Sequence, residues 1–143
     1  VCTRATVKQL VRTLKALPEV ELLVPVFAPV DAEDLSLWTE SEHAQAIRAA
    51  LPGARVVTDR DGIEARRFGA VTSGTILVFD AQGRERFRGG ITDRRGGERD
   101  NPGLRQFASV LAGGALRETA SSLVFGCPII APERVHAGRG VGS

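Results

Sequence analysis

The chain has no methionine, only two cysteines and two histidines, one tryptophan, and no lysine beyond Lys8 and Lys15. Each scarcity closes off a reading. Without methionine, the sequence is expected to be a processed or truncated segment, with a strand expected ahead of Cys2. Cys2, Cys127, His43 and His136 stand at unrelated spacings, whereas a structural zinc site needs four ligands in paired clusters, so no metal is expected. No run approaches the about 18 apolar residues of a membrane helix, so no membrane contact is expected within this segment. A net charge of +2, carried almost wholly by arginine, gives no signal for nucleic acid. Asp59 and Asp61 lack the spaced oxygens and closing glutamate of a calcium loop and read as a turn. Gly83, Gly89 and Gly90 do not lead from a strand into a helix, as a phosphate-binding fingerprint requires.

With 143 residues, 43% of them hydrophobic, the chain is long enough to bury one core. Residues 1–130 are expected to form a single domain. The polar, glycine-rich stretch 131–143 has no apolar period and is expected to be a disordered tail.

Val7, Leu10, Val11, Leu14 and Leu17 follow a helical period, with Thr3 as the expected N-cap and Pro18 as the stop. Glu21 to Ala28 is a short apolar run of the kind found in buried strands, although Pro25 cannot donate to a central ladder. Pro29 to Leu37 reads as a loop, and Thr39 with Glu42 as a capping box for a helix to Ala50. Arg55 to Thr58 reads as a strand, Asp59 to Gly62 as a turn, and Ile63 to Phe68 as a short helix ended by Gly69. Thr75 to Phe79 and Arg84 to Arg88 flank a glycine-containing turn and read as a hairpin. Asn101-Pro102 opens a further helix, which Gly113-Gly114 ends. The early elements alternate as βαβ and the late strands run antiparallel, which predicts an α/β chain with one mixed sheet and helices on both faces.

Cys2 stands directly before the first amphipathic helix. The unpaired amide groups and positive dipole end of a helix N-terminus favour thiolate over thiol, so Cys2 is the first candidate for a reactive group. Cys127, between Gly126 and Pro128, reads either as a resolving thiol or as a small buried hydrophobe. Arg4 reads as a holder of a thiolate or anionic substrate, or as a solvated first-turn residue. The Gly89–Asn101 stretch reads either as an anion-binding loop or as a long surface loop closing over the core.

Five motifs in order add to this: Cys2-Thr3-Arg4-Ala5; Asp61-Gly62-Ile63-Glu64-Ala65 with Phe68-Gly69-Ala70; Thr72-Ser73-Gly74; Gly89-Gly90-Ile91-Thr92; and Val124-Phe125-Gly126-Cys127-Pro128. Together they resemble the RedB-like, redoxin-like branch of the thioredoxin superfamily from Cys2 to Pro128. The resemblance implies a three-layer α/β/α thioredoxin-like fold whose first strand is missing from this chain. It also implies a thiol–disulfide oxidoreductase with Cys2 as nucleophile, Thr3 and Arg4 beside it, and Cys127 as a further thiol. The group's first motif resembles Cys-Pro-Cys-Thr-Arg-Ala. Val1 stands where that proline would be, which leaves room for a second cysteine ahead of it. Thr72, Ser73 and Gly74 fall where thioredoxins place the cis-proline loop beside the active cysteine, and with Arg95 they are expected to line a substrate groove. Gly97 and Arg99 stand where the group motif has histidine and glycine. A protein or small-molecule thiol or disulfide is the expected partner, no cofactor is expected, and the resemblance implies an extracytoplasmic, membrane-anchored setting. The alternatives are a peroxiredoxin-like peroxide reductase, in which Arg4 polarises the peroxide, and a redox-inactive module that binds a partner or a metal.

Overall fold

In the computed structural model, which describes residues 2–15, 20–29, 31, 33–113 and 120–129, the N-terminal apolar period forms helix α1 (Cys2–Leu14). Thr3, the expected cap, lies inside this helix rather than in front of it. The expected stop at Pro18 and the tail 131–143 lie outside the described residues. Ala5, Thr6, Gln9 and Leu10 are buried, so the inward stripe includes two polar residues that the apolar period passes over.

The apolar run predicted as a strand forms β1 (Leu23–Ala28), which pairs in parallel with β2 (Arg55–Arg60). Helices α2 (Leu35–Thr39) and α3 (Glu42–Ala50) make the crossover. Two expectations need correction here. The stretch read as a loop to Leu37 holds α2, which the Asp34 carboxylate caps by accepting from the Ser36 amide at 2.8 Å. Ser41, not Thr39, caps α3, its hydroxyl accepting from the Ala44 amide at 3.2 Å. Both segments hold several residues able to cap, and the local pattern does not choose between them.

After α4 (Ile63–Arg67), β3 (Ile76–Phe79) and β4 (Glu85–Gly89) form the expected antiparallel hairpin. The Asp80 carboxylate closes its turn by accepting from the Gln82 and Arg84 amides at 2.9 and 3.0 Å. Asn101 caps α5 (Pro102–Leu111), accepting from the Leu104 amide at 2.9 Å, with Pro102 in the first turn as predicted. A short strand that sequence patterning did not signal, β5 (Ala120–Ser121), then pairs in parallel with β4.

The chain is thus α/β, but its strands are divided between two small sheets, one parallel (β1-β2) and one mixed (β3-β4-β5). This corrects the expectation of a single mixed sheet. A shared core joins them instead of a shared ladder. Phe87 and Ile91 are fully buried at its centre, with Leu10, Ile47, Leu51 and Phe107 around them. Val24, Val26 and Val56 from the parallel sheet and Ile76 and Val78 from the mixed sheet pack against the same cluster. The rings of Phe87 and Phe107 pack at a tilt, their centroids 5.6 Å apart and their planes at 60°.

Candidate functional site

The parallel pair has one end that other segments converge on. The Asp61 amide donates to the Ala28 carbonyl at 2.7 Å, tying together the carboxyl ends of β1 and β2. In open α/β sheets this is the end where ligands bind. Phe27 and Ile129 both lie within 3.7 Å of where a Cβ on Gly62 would stand, so residue 129 reaches the same place from the far end of the chain.

Residues 126–129 run alongside 71–73. The Ile129 amide donates to the Val71 carbonyl at 2.8 Å, and the Ser73 amide to the Cys127 carbonyl at 2.8 Å. The Cys127 amide returns a bond to the Ser73 hydroxyl at 2.9 Å, and Thr72 and Pro128 form an antiparallel bridge. Gly126 allows this closeness, because a Cβ there would sit 1.9 Å from the Ser73 carbonyl oxygen. On the other side of the loop, a Cβ on Gly74 would come within 3.0 Å of the Thr6 hydroxyl. Helix α1 therefore meets the 72–74 loop at Thr6, one turn from its start.

Cys2 is the first residue of α1, and its first turn carries no acidic side chain. Arg4 is exposed and Thr3 half-buried there. An N-terminus with no carboxylate to offset its partial positive charge stabilises an anion, and an adjacent guanidinium adds to that field. Thr6, one turn on from Cys2, is the residue of α1 that meets Gly74.

Comparison with protein-family models, curated proteins and solved structures found no match.

Of the residues singled out in the sequence, Cys2, Thr3 and Arg4 are in the first turn of α1, Thr72, Ser73 and Gly74 form the loop that meets that helix, and Cys127 lies against Ser73. Cys127 is exposed, which removes its reading as a small buried hydrophobe. Arg95 is exposed. Its neighbours Glu98 and Arg99 reach α1 in its middle and far turns: Glu98 takes Lys8 at 2.7 Å and Arg12 at 3.5 Å, and the Arg99 carbonyl accepts from the buried Gln9 amide group at 3.2 Å. The 93–101 loop thus holds the helix between Lys8 and Arg12 while 72–74 meets it at Thr6. Among the described residues, no group of three or more His, Cys, Asp or Glu is placed to hold a metal ion.

The position with glycine in place of the group's histidine has little room. A Cβ on Gly97 would stand 1.8 Å from the Asp93 carboxylate, which would have to swing away to admit a side chain.

Two residues that position the site went unnoticed as such in the sequence. Asp59, read as part of a turn, is the buried fifth residue of β2, and its carboxylate accepts from the Glu64 and Ala65 amides at 3.0 and 2.9 Å. It anchors α4 at the carboxyl end of the parallel pair. Gln9, polar and buried, fastens α1 to the clamp loop. An Asp one residue past a β-branched run and just before a helix was the available signal for the first; the second had none.

Proposed function

We propose that this chain is a thioredoxin-like thiol–disulfide oxidoreductase in which Cys2 is the nucleophile. The observation that carries the reading is the position of Cys2 as first residue of a helix whose first turn lacks acidic residues and which meets the 72–74 loop at Thr6. The helix N-terminus holds the sulfur as thiolate, with Arg4 adding fixed positive charge. The thiolate attacks one sulfur of a substrate disulfide. A bond forms between that sulfur and Cys2 Sγ, and the other substrate sulfur leaves as a thiolate. Thr72, Ser73 and Gly74 border the place where the substrate lies, and the exposed apolar residues Phe27, Val71 and Phe125 at the same end suit a polypeptide substrate.

The test is the pH dependence of iodoacetamide alkylation, with Cys2 and Cys127 read separately by mass spectrometry. Cys2 is expected to reach half-maximal rate well below the about 8.5 of an ordinary thiol. A rate that follows an ordinary thiol, or no reaction in the folded protein, would instead make the chain a binding module.

A further inference from the structure

Helix α1 carries charge of one sign only. From Cys2 to Lys15 there is no Asp or Glu. From Thr3 to Lys15 the exposed residues are Arg4, Lys8, Arg12 and Lys15, and all the others are buried or half-buried. Both lysines of the whole chain are among them. Spacings of four, four and three residues set these cations on one stripe, and the Lys15 amide still donates to the Val11 carbonyl at 3.3 Å, which carries the helical path to the last of them. At about 1.5 Å per residue the stripe is about 17 Å long, with a charge about every 6 Å. Like charges at this spacing repel and destabilise a helix, so the pattern does not serve folding. Glu98 shows how a carboxylate seats on it: its two oxygens accept from Lys8 Nζ at 2.7 Å and from Arg12 Nη2 at 3.5 Å. The two ends of the stripe, Arg4 and Lys15, have no such partner among the described residues. Just before Glu98, a turn closed by the Gly97 amide donating to the Arg94 carbonyl at 3.0 Å adds the exposed Arg94 and Arg95.

We propose that this face of α1 is a docking surface for an acidic helix of a partner protein. Carboxylates four residues apart on such a helix recur about every 6 Å, the spacing of the cations on α1. Lying along the stripe, the partner offers carboxylates to Arg4 and Lys15, the positions that Glu98 does not reach. A nucleic acid fits less well, because neither α1 nor the 93–101 loop has an aromatic side chain on which a base could stack. An anionic bilayer fits less well too, since the helix has no exposed apolar residue to enter it. Charge complementarity of this kind speeds encounter and selects the partner, and it weakens as salt rises. The stripe begins at Arg4, two residues from Cys2, so a docked partner reaches the start of the helix. That this partner is also the one Cys2 reacts with rests on the proposed function; the docking itself does not.

The experiment titrates the folded chain at low salt with a dye-labelled, alanine-rich helical peptide that carries glutamates four residues apart on one face. A second peptide has the same glutamates spread around the helix, and binding is read by fluorescence anisotropy. The one-faced peptide is expected to bind at least ~fivefold more tightly than the other, and to lose affinity as salt rises. Arg4→Gln/Lys15→Gln should weaken its binding at least ~fivefold, whereas Arg67→Gln/Arg84→Gln, which removes the same charge from exposed arginines on α4 and beside the hairpin turn, should change it less than ~twofold. Equal losses in the two double variants would reduce the effect to net charge and overturn the proposal. So would the absence of binding, or equal binding of the two peptides. Tighter binding of a single-stranded oligonucleotide, or of vesicles containing phosphatidylserine, than of the one-faced peptide at the same salt would show that the partner class is wrong. Cys2→Ser is expected to bind the peptide as wild type does, which keeps the two readings apart. An ordinary alkylation profile at Cys2 with peptide binding intact would remove the thiol chemistry and leave the docking surface, and the reverse result would remove the docking surface alone.

Discussion

Ser73 and Cys127 exchange two hydrogen bonds, amide to carbonyl at 2.8 Å and amide to hydroxyl at 2.9 Å, across 54 residues of sequence. This pairing holds the end of the described chain against the loop that meets α1. It also links the two sheets indirectly. Upstream of Cys127, the Ser122 amide donates to the Arg88 carbonyl at the end of β4, and downstream Ile129 lies beside Gly62 and Phe27 at the end of β1. One extended segment therefore spans from the mixed sheet to the parallel one, with Cys127 between its two anchors.

Gly126→Ala tests that arrangement directly. The new methyl would overlap the Ser73 carbonyl oxygen, a backbone atom that cannot rotate away. Overpacking of this kind costs about 1–3 kcal/mol. A loss of stability in that range is expected by urea denaturation, together with faster amide exchange at Cys127 and Ile129, whose bonds to Ser73 and Val71 would part. Unchanged exchange at both amides would mean that the segment is held elsewhere.

Asn101 separates two roles that one side chain performs. Its carbonyl oxygen caps α5 through the Leu104 amide, and its amide group donates to the carbonyls of Ile91 and Arg99, each at 3.0 Å, with the residue almost fully buried. Asn101→Asp keeps the cap and replaces two donations with carboxylate facing two carbonyls. Asn101→Ala loses everything at once. Cap loss alone costs about 0.5–2 kcal/mol, and losing the donor to the buried Ile91 carbonyl adds about 1–3 kcal/mol, while the Arg99 carbonyl keeps its bond from Gln9. Both variants are therefore expected to be destabilised in urea titrations. If Asn101→Asp were as stable as wild type at neutral pH, the donations to Ile91 and Arg99 would be contributing nothing.

How much of this was visible beforehand depends on whether the causes were local. The run from Glu21 to Ala28, of which Leu23–Ala28 is strand, the turn at Asp80–Gly83 and the Asn101-Pro102 helix start became the expected elements, since each follows from period, turn chemistry or capping within a few residues. Strand β5 has two residues and no period. It exists because Gly89 and Gly90 let the chain approach: a Cβ on Gly90 would stand 2.7 Å from the Leu123 carbonyl oxygen. Helix α2, of five residues, is likewise too short to display a period. The division into two sheets was not legible at all, since strand neighbours are set by long-range packing. Within β1 only Pro25, lacking an amide hydrogen, hinted that this strand would not sit in a complete ladder. For the site, Cys2 stood out through its position before a helix. The approach of Cys127 to the 72–74 loop is made by backbone bonds between distant segments, which leave no pattern in side-chain type beyond a glycine at 126.

The clamp on α1 gives the pH prediction. The Lys8 hydrogen bond holds the Glu98 carboxyl below its ordinary 4.5; partial burial works against this, and the charges of Lys8 and Arg12 add to it. A carboxylate with a depressed folded-state value contributes stability that is fully present above the unfolded value and disappears as pH falls through the folded one. The contribution of Glu98 should therefore be intact at neutral pH and fade below about 4.5. All three side chains are solvent-accessible, so the effect is small and weakens as salt rises. Comparing urea midpoints of wild type and Glu98→Gln across this range is the measurement. The gap between them should be greatest at neutral pH in low salt and shrink on acidification, because the protonated glutamic acid and the amide then hold α1 equally poorly. A gap that stayed constant with pH would show that Glu98 packs against the helix rather than pairing with Lys8 and Arg12.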